Sequence, residues 1–275
     1  MINNKRKVII NREEVFEPIL PEEVGKVFSA PFYTEFICCQ RNKNISSMVS
    51  CKRLDKDYYV NTETGEIKAY KHNQTKTVES FRKCHKKIPM IIKGYFKGLE
   101  NESEIILNYD NPLFDPKSLS DDFKTFLKRF NKLCSDYIYL YGKEPFSDGS
   151  WYIRCIIKVN NDSTFRFFEE QLRKIWKKGN VTIKLIGNID RFSWSFDILR
   201  TEERKKKLRF YPSDFHPFGC TMGLNKILKD IHYKELPEYT QDKKLEYRQQ
   251  YSLGVMDSKG NINSFGKLKY EQYKK

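Results

Sequence analysis

From Phe123 to Cys134 the apolar residues Phe123, Phe126, Leu127, Phe130, Leu133 and Cys134 recur at i, i+3, i+4, i+7, i+10 and i+11. That spacing lays one apolar stripe along a helix and sets it against a sheet, so it predicts a helix over about 118–134. Ser118, Ser120 and Asp121 supply capping hydroxyls and negative charge for its N-terminus. A second helix is expected over about 163–178, with Phe165, Phe168, Leu172, Ile175 and Trp176 on one face and Gly179-Asn180 closing it. Around these helices lie four strand patterns, at 105–109, 137–141, 151–159 and 181–186. Alternation along 151–159 sends Ile153, Cys155 and Ile157 to one face and Tyr152 and Arg154 to the other. The strands at 137–141 and 151–159, joined through Gly142, Pro145 and Gly149, are expected to pair antiparallel. The predicted class is α+β, an antiparallel sheet with helices on one face and the other face open to a ligand.

Outside this core, expected over 103–235, the pattern weakens. Residues 1–50 are rich in Asn, Lys, Arg and Glu and are broken by Pro18, Pro21 and Pro31, which reads as a basic extended arm. Residues 51–102 read as a hairpin over 53–68, turning at Thr64-Gly65, followed by a basic helix from about Val78 that Pro89 interrupts. The charge run Glu202 to Lys207 reads as a loop. Residues 236–275 read as a C-terminal hairpin that turns about Asp257 to Gly260.

Composition narrows the class of partner. The 275 residues carry a formal net charge of +15, with 39% hydrophobic and 15% aromatic residues, so a folded core is expected together with a positive field suited to nucleic acid or an acidic protein. No window approaches the length of a membrane span, and Met1 to Lys7 lacks an apolar secretion segment, so a cytoplasmic location and no membrane partner are expected. Seven cysteines without CxxC spacing argue against a disulfide framework. A zinc site could be drawn from Cys38, Cys39, Cys51 and Cys84 or His85, but the irregular set reads first as scattered thiols. There is no phosphate-binding loop, dinucleotide fingerprint or catalytic-serine signature.

One ordered set of short segments carries more than any of them alone. It runs through Lys52 to Val60, Thr64-Gly65-Glu66, Ser80 to Lys83, Ile105 to Tyr109, Asp121 to Lys124, Tyr137 to Tyr141 with Glu144-Pro145, Gly149 to Lys158, Ile175 to Gly179 and Leu208 to Phe215. Over roughly residues 50–275 this arrangement resembles the rolling-circle, HUH-type replication initiators of plasmids and phages from low-GC Gram-positive bacteria. The resemblance implies an endonuclease domain of split βαβ form. It also implies a His-hydrophobic-His strand holding a divalent metal, a nearby carboxylate, and a tyrosine nucleophile on a following helix. Here Tyr152 and Arg154 stand in the two histidine positions, Glu144 stands in the carboxylate position, and the tyrosine positions fall near Ser195 and Leu199. No tyrosine lies between Tyr152 and Tyr211, and no histidine between His85 and His216, so a slip of register restores neither group.

The substitutions remove the chemistry and leave charge behind. A phenol with an ordinary pKa near ~10 is a poor metal ligand at neutral pH, and a permanent guanidinium repels the ion. No metal and no cofactor are therefore expected. A guanidinium can still grip a phosphate and a tyrosine can stack on a base, so Tyr152, Arg154, Arg204, Lys205, Lys206, Lys207 and Arg209 are the candidate nucleic-acid contacts. The expected function is a catalytically degenerate, initiator-like protein of a mobile element that binds origin or single-stranded DNA without nicking it. Two alternatives stay open: a basic inhibitor or adaptor acting on a protein or ribonucleoprotein, and an atypical nickase using Tyr152 or Tyr211 with Arg154 in place of the metal's charge.

Overall fold

The computed structural model describes residues 6–41, 51–55, 57–61, 64–69, 75, 77–85, 87–160, 169–189, 192, 201–224, 229–256 and 262–275. The chain forms two compact units, one from residues 1–72 with 227–275 and one from residues 73–226. Every strand pairing among the described residues is antiparallel.

The discontinuous unit begins with β1 (Arg6–Arg12), β2 (Val24–Ser29) and β3 (Tyr33–Arg41). A three-stranded sheet follows, of β4 (Cys51–Arg53), β5 (Tyr58–Asn61) and β6 (Ile67–Ala69). The turn between β5 and β6 contains Gly65 at φ 70°, the left-handed backbone that glycine adopts without steric cost.

The continuous unit opens with α1 (Val78–His85) and α2 (Lys87–Tyr95); Pro89 stands in the first turn of α2, where its missing N–H costs nothing. Then come β7 (Glu102–Leu107), α3 (Pro116–Leu133), β8 (Tyr137–Pro145), β9 (Trp151–Val159), α4 (Glu169–Trp176) and β10 (Val181–Leu185). A short helix α5 (Glu202–Lys206) and β11 (Phe218–Cys220) complete it. The strands make one five-stranded sheet in the order β10-β7-β9-β8-β11. Thus α3 joins β7 to β8 across an intervening β9, and α4 joins β9 to β10 across an intervening β7.

The helical stripe performs as its spacing predicts. Phe123, Phe126 and Phe130 are buried with Leu172 and Trp176 against Ile105, Leu107, Ile153, Cys155 and Ile157 of the sheet. The indole of Trp176 meets the Phe126 ring at 6.1 Å, and its N–H donates to the carbonyl of Asn108 at 2.7 Å, so the one polar atom of the side chain is satisfied inside the core. The N-cap of α3 is Asp115, not the serines further on: its carboxylate accepts from the backbone of Lys117 and Ser118, and Pro116 occupies the first helical position.

The chain then returns to the first unit through β12 (Lys229–His232), α6 (Leu236–Thr240), β13 (Lys244–Met256) and β14 (Ile262–Lys274). These strands complete a six-stranded sheet in the order β1-β13-β14-β3-β2-β12. The expected C-terminal hairpin is therefore present, with its turn at 257–261 outside the described residues. The expected N-terminal arm is corrected: residues 6–41 supply three strands of that sheet, since Val27, Phe36 and Cys38 bury one face with Ile19, Ile231 and Leu236. The prolines that suggested an arm lie between the strands, not within them. The run at 202–206 is likewise a helical turn, not a loop, capped by the Thr201 hydroxyl accepting from Arg204 N–H at 3.2 Å. Among the described residues no helix is long and apolar enough to cross a membrane.

Gly98 and Gly187, both at positive φ, meet back to back at the end of the sheet, and a Cβ on Gly98 would run into the carbonyl of Gly187, whereas one on Gly187 would meet open space. Gly98→Ala is expected to destabilise by more than about 2 kcal/mol, combining left-handed strain with a backbone clash, and Gly187→Ala by about 1 kcal/mol from strain alone. Urea denaturation of the two variants checks the difference.

Candidate functional site

Strand β9 divides the continuous unit. Its residues Trp151, Ile153, Cys155, Ile157 and Val159 belong to the core under the helices. Tyr152, Arg154, Ile156 and Lys158 face the other way, opposite Glu144, Gly142, Leu140 and Ile138 of β8 in register. From β7 on the other side, Glu104 lies opposite Ile156 and Glu102 opposite Lys158. Residues directly opposite one another in a sheet share a face, so this side carries carboxylates and cations from three adjacent strands.

Each is engaged on that face. The Tyr152 hydroxyl donates to Glu144 Oε2 at 2.7 Å. The Arg154 Nε donates to Glu104 Oε1, and its Nη1 lies 4.0 Å from Glu144 Oε1. Lys158 Nζ stands 3.1 Å from Glu102 Oε1. Arg154 also lies under the ring of Phe192, its guanidinium carbon 5.4 Å from the centroid. The side chains of Arg154 and Glu104 are only 12% and 9% exposed, so each depends on the other for its charge.

The face is less open than the sequence pattern implies. Leu140, Ile156 and Glu102 are wholly buried on it. The turn after α2 closes one end: Lys97, Gly98 and Leu99 all donate backbone N–H groups to Glu102 Oε2, and Lys158 Nζ reaches the carbonyl of Tyr95 at 3.2 Å. The loop between α2 and β7 thus covers the end of the face where Glu102 and Lys158 lie.

The two tyrosines considered as nucleophiles are both held protonated. Burial, and then the Glu144 carboxylate beside it, push the Tyr152 phenol far above its ordinary value. Burial does the same to Tyr211, which is 1% exposed and donates its hydroxyl to the carbonyl of Lys143. Neither presents a phenolate at neutral pH.

Sequence positions 195 and 199 lie outside the described residues. Of the other candidates, the charge of Arg204 lowers the Tyr152 pKa against the stronger effects that raise it. Lys205 pairs with Glu202, and Arg209 lies over the ring of Phe210 at 4.7 Å. Lys206 and Arg209 are exposed, while Arg204, Lys205 and Lys207 are half-buried. The structure also brings in two residues that sequence reasoning missed, Glu104 and Phe192. The Glu102-Ser103-Glu104 alternation was a usable signal, because carboxylates at i and i+2 of a strand share a face. Phe192 had none.

Metal-binding clusters of three or more His, Cys, Asp or Glu are absent among the described residues. Cys38 and Cys39 are neighbours in β3, one buried and one exposed, so they point to opposite faces of the sheet; the other thiols of the zinc alternative, Cys51 and Cys84, have no described side chain. Comparison of the chain with protein-family models, with curated proteins and with solved structures finds no match.

Two outcomes follow from the geometry. Glu104→Ala takes the nearest carboxylate from the Arg154 guanidinium in a nearly closed site and is expected to destabilise by about 3 kcal/mol, whereas Glu104→Met with Arg154→Met removes both charges and is expected to be close to neutral; a double-mutant cycle in urea measures the coupling. Lys143, 4% exposed beside Glu144 on the opposite face, donates to Ser120 Oγ at 2.7 Å and lies 4.5 Å from the Phe215 centroid. Burial, and then the charge of Lys124, bring its pKa down to about 8. The unfolded chain binds this proton more tightly, so the lysine costs stability below about pH 8, and the cost fades as pH rises toward the ordinary lysine value. Lys143→Met is thus expected to help stability more at pH 7 than at pH 10.5, read from denaturation midpoints at the two pH values.

Proposed function

We propose that the continuous unit is a nucleic-acid-binding domain of split βαβ form, related to the HUH-type replication initiators, that holds origin or single-stranded DNA without cutting it. The observation that supports this reading is the set of pairs on β9, Tyr152 with Glu144 and Arg154 with Glu104, at the positions where the sequence resemblance puts the metal ligands of such an enzyme. The connection of β7 to β8 across β9, and of β9 to β10 across β7, supports the split βαβ form. A metal ion there would have to displace a guanidinium and recruit two carboxylates already engaged.

The same pairs alter the part played by the cluster. Arg154 already has a carboxylate partner, so its service as a phosphate clamp would require breaking a largely buried ion pair. Its role in this reading is to hold the three strands together where a metal would otherwise do so. Contact with DNA falls to the exposed cations, among them Lys206 and Arg209 at α5. Most of the chain's excess of positive charge lies within residues 73–226. No observation favours the adaptor reading over this one, and the protonated, hydrogen-bonded state of Tyr152 and Tyr211 weighs against the nickase.

Purified protein is expected to bind labelled DNA with an affinity whose logarithm falls linearly with the logarithm of salt concentration. On a supercoiled plasmid carrying a rolling-circle origin, with or without Mn²⁺, it is expected to leave the circles unnicked. Tyr152→His with Arg154→His, which frees Glu144 and Glu104, is expected to gain calorimetrically measurable Mn²⁺ affinity while remaining unable to nick. Nicked circles carrying covalently attached protein, or a tight protein complex together with no affinity for DNA, would overturn the reading.

A further inference from the structure

The outer surface of the helical layer carries a second feature, on the opposite side of the sheet from Arg154. Helices α3 and α4 are tied side by side: Arg129 Nη1 donates to the Ile175 carbonyl at 2.6 Å, and Lys178 pairs with Asp122 at 3.2 Å. With Phe123, Phe126, Phe130, Leu172 and Trp176 turned to the core, helical periodicity turns Lys124, Lys128 and Lys132 of α3 outward, and with them Arg173, Lys174 and Lys177 at α4; all six are exposed. The α3 lysines recur every four residues, a rise of about 6 Å each. The acids on this surface are few. Asp121 is paired with Lys124 at 3.1 Å, and Glu170 stands at the start of α4.

Lys177 adds an independent observation. It ends α4 at φ 57°, the one non-glycine residue among those described with positive φ. That position at a helix C-terminus is commonly glycine, and an L side chain there is strained. Gly179 lies only two residues on, so glycine is not foreign to this turn; a cation occupies the strained position instead.

We infer that this two-helix surface is a docking site for the phosphate backbone of duplex nucleic acid. The charge is of the right sign and is concentrated on one surface, against a polymer that carries one negative charge per ~1.7 Å of its axis. The outward positions hold no aromatic side chain, so nothing here offers a stacking platform for unpaired bases, and the contacts are with phosphates and independent of sequence. The surface rests on the nucleic-acid reading of this unit but not on the cluster around Arg154. It therefore gives the unit one face for duplex DNA beside whatever single strand the protein handles.

The test uses the full chain and a short labelled duplex of random sequence, titrated across a salt series. Lys128→Gln, Lys132→Gln, Lys174→Gln and Lys177→Gln together are expected to make the salt dependence shallower by about three to four units of slope, roughly 0.9 for each lost phosphate contact. The same number of charges removed from exposed lysines of the other unit, Lys26→Gln, Lys229→Gln, Lys234→Gln and Lys244→Gln, is expected to leave that slope near the wild-type value. Lys177→Gly alone is expected to keep or raise the melting temperature while weakening binding, which separates the cation from the backbone it strains. A quadruple variant that binds like wild type, or a control set that loses as much, overturns the surface. Wild-type protein that binds single strands but not duplex overturns it too while leaving the nucleic-acid reading intact. Protein that binds neither, but captures an acidic protein through these lysines, overturns both.

Discussion

A guanidinium at the centre of a five-stranded sheet has to be answered by carboxylates, and the face of the continuous unit is arranged around that requirement. Arg154 is too long to leave unpaired and too enclosed to be solvated, so Glu104 from one neighbouring strand and Glu144 from the other stand within reach of it. The pair is an interaction between strands and not within one. It ties β7, β9 and β8 together at the level where the apolar ladder of Ile156 and Leu140 gives way to polar residues. Truncating either member would leave a nearly buried charge without its nearest partner, which costs more than the pair itself contributes.

This arrangement separates structure from chemistry in an instructive way. A divalent ion between strands serves both as cross-link and as Lewis acid, whereas an arginine in its place keeps the positive charge and the cross-link but has no open coordination position. Tyr152 adds to the arrangement by donating to Glu144, so that carboxylate accepts a hydrogen bond while it faces Arg154. The remaining electrostatic capacity of the unit then lies at its rim and on its helices. There, exposed lysines and arginines outnumber exposed acids among the described residues, and their attraction for phosphate needs no catalytic geometry.

The other unit solves a different problem. Its six-stranded sheet is assembled from both ends of the chain, with β14 pairing along its length with β3 and β13 pairing with β1. Two buried carboxylates on it are satisfied within the sheet: Glu271 accepts from Arg248 and Tyr273, and Glu35 accepts from Tyr33 and Tyr270. Such networks specify register, since a slip of one residue would move each carboxylate to the opposite face, away from its donors.

Much of the continuous unit was legible in the chain. The phenylalanine stripe of α3 and the alternation of β9 depend on contacts that recur every few residues, so their periods appear directly in the sequence and place helix, strand and buried face. The absence of histidine between His85 and His216, and of tyrosine between Tyr152 and Tyr211, was visible for the same reason, because residue identity needs no fold to be read. What only tertiary structure decided was pairing between distant segments. Nothing local marks Arg6–Arg12 as the partner of a strand some 240 residues later, and the prolines between its neighbours resemble those of an unstructured arm. Nor could the sequence show that Arg154 is spent on Glu104, since that carboxylate arrives from a strand fifty residues earlier and only antiparallel register brings it alongside. Side-chain periodicity is a property of one element, whereas the availability of a charge depends on every element packed around it.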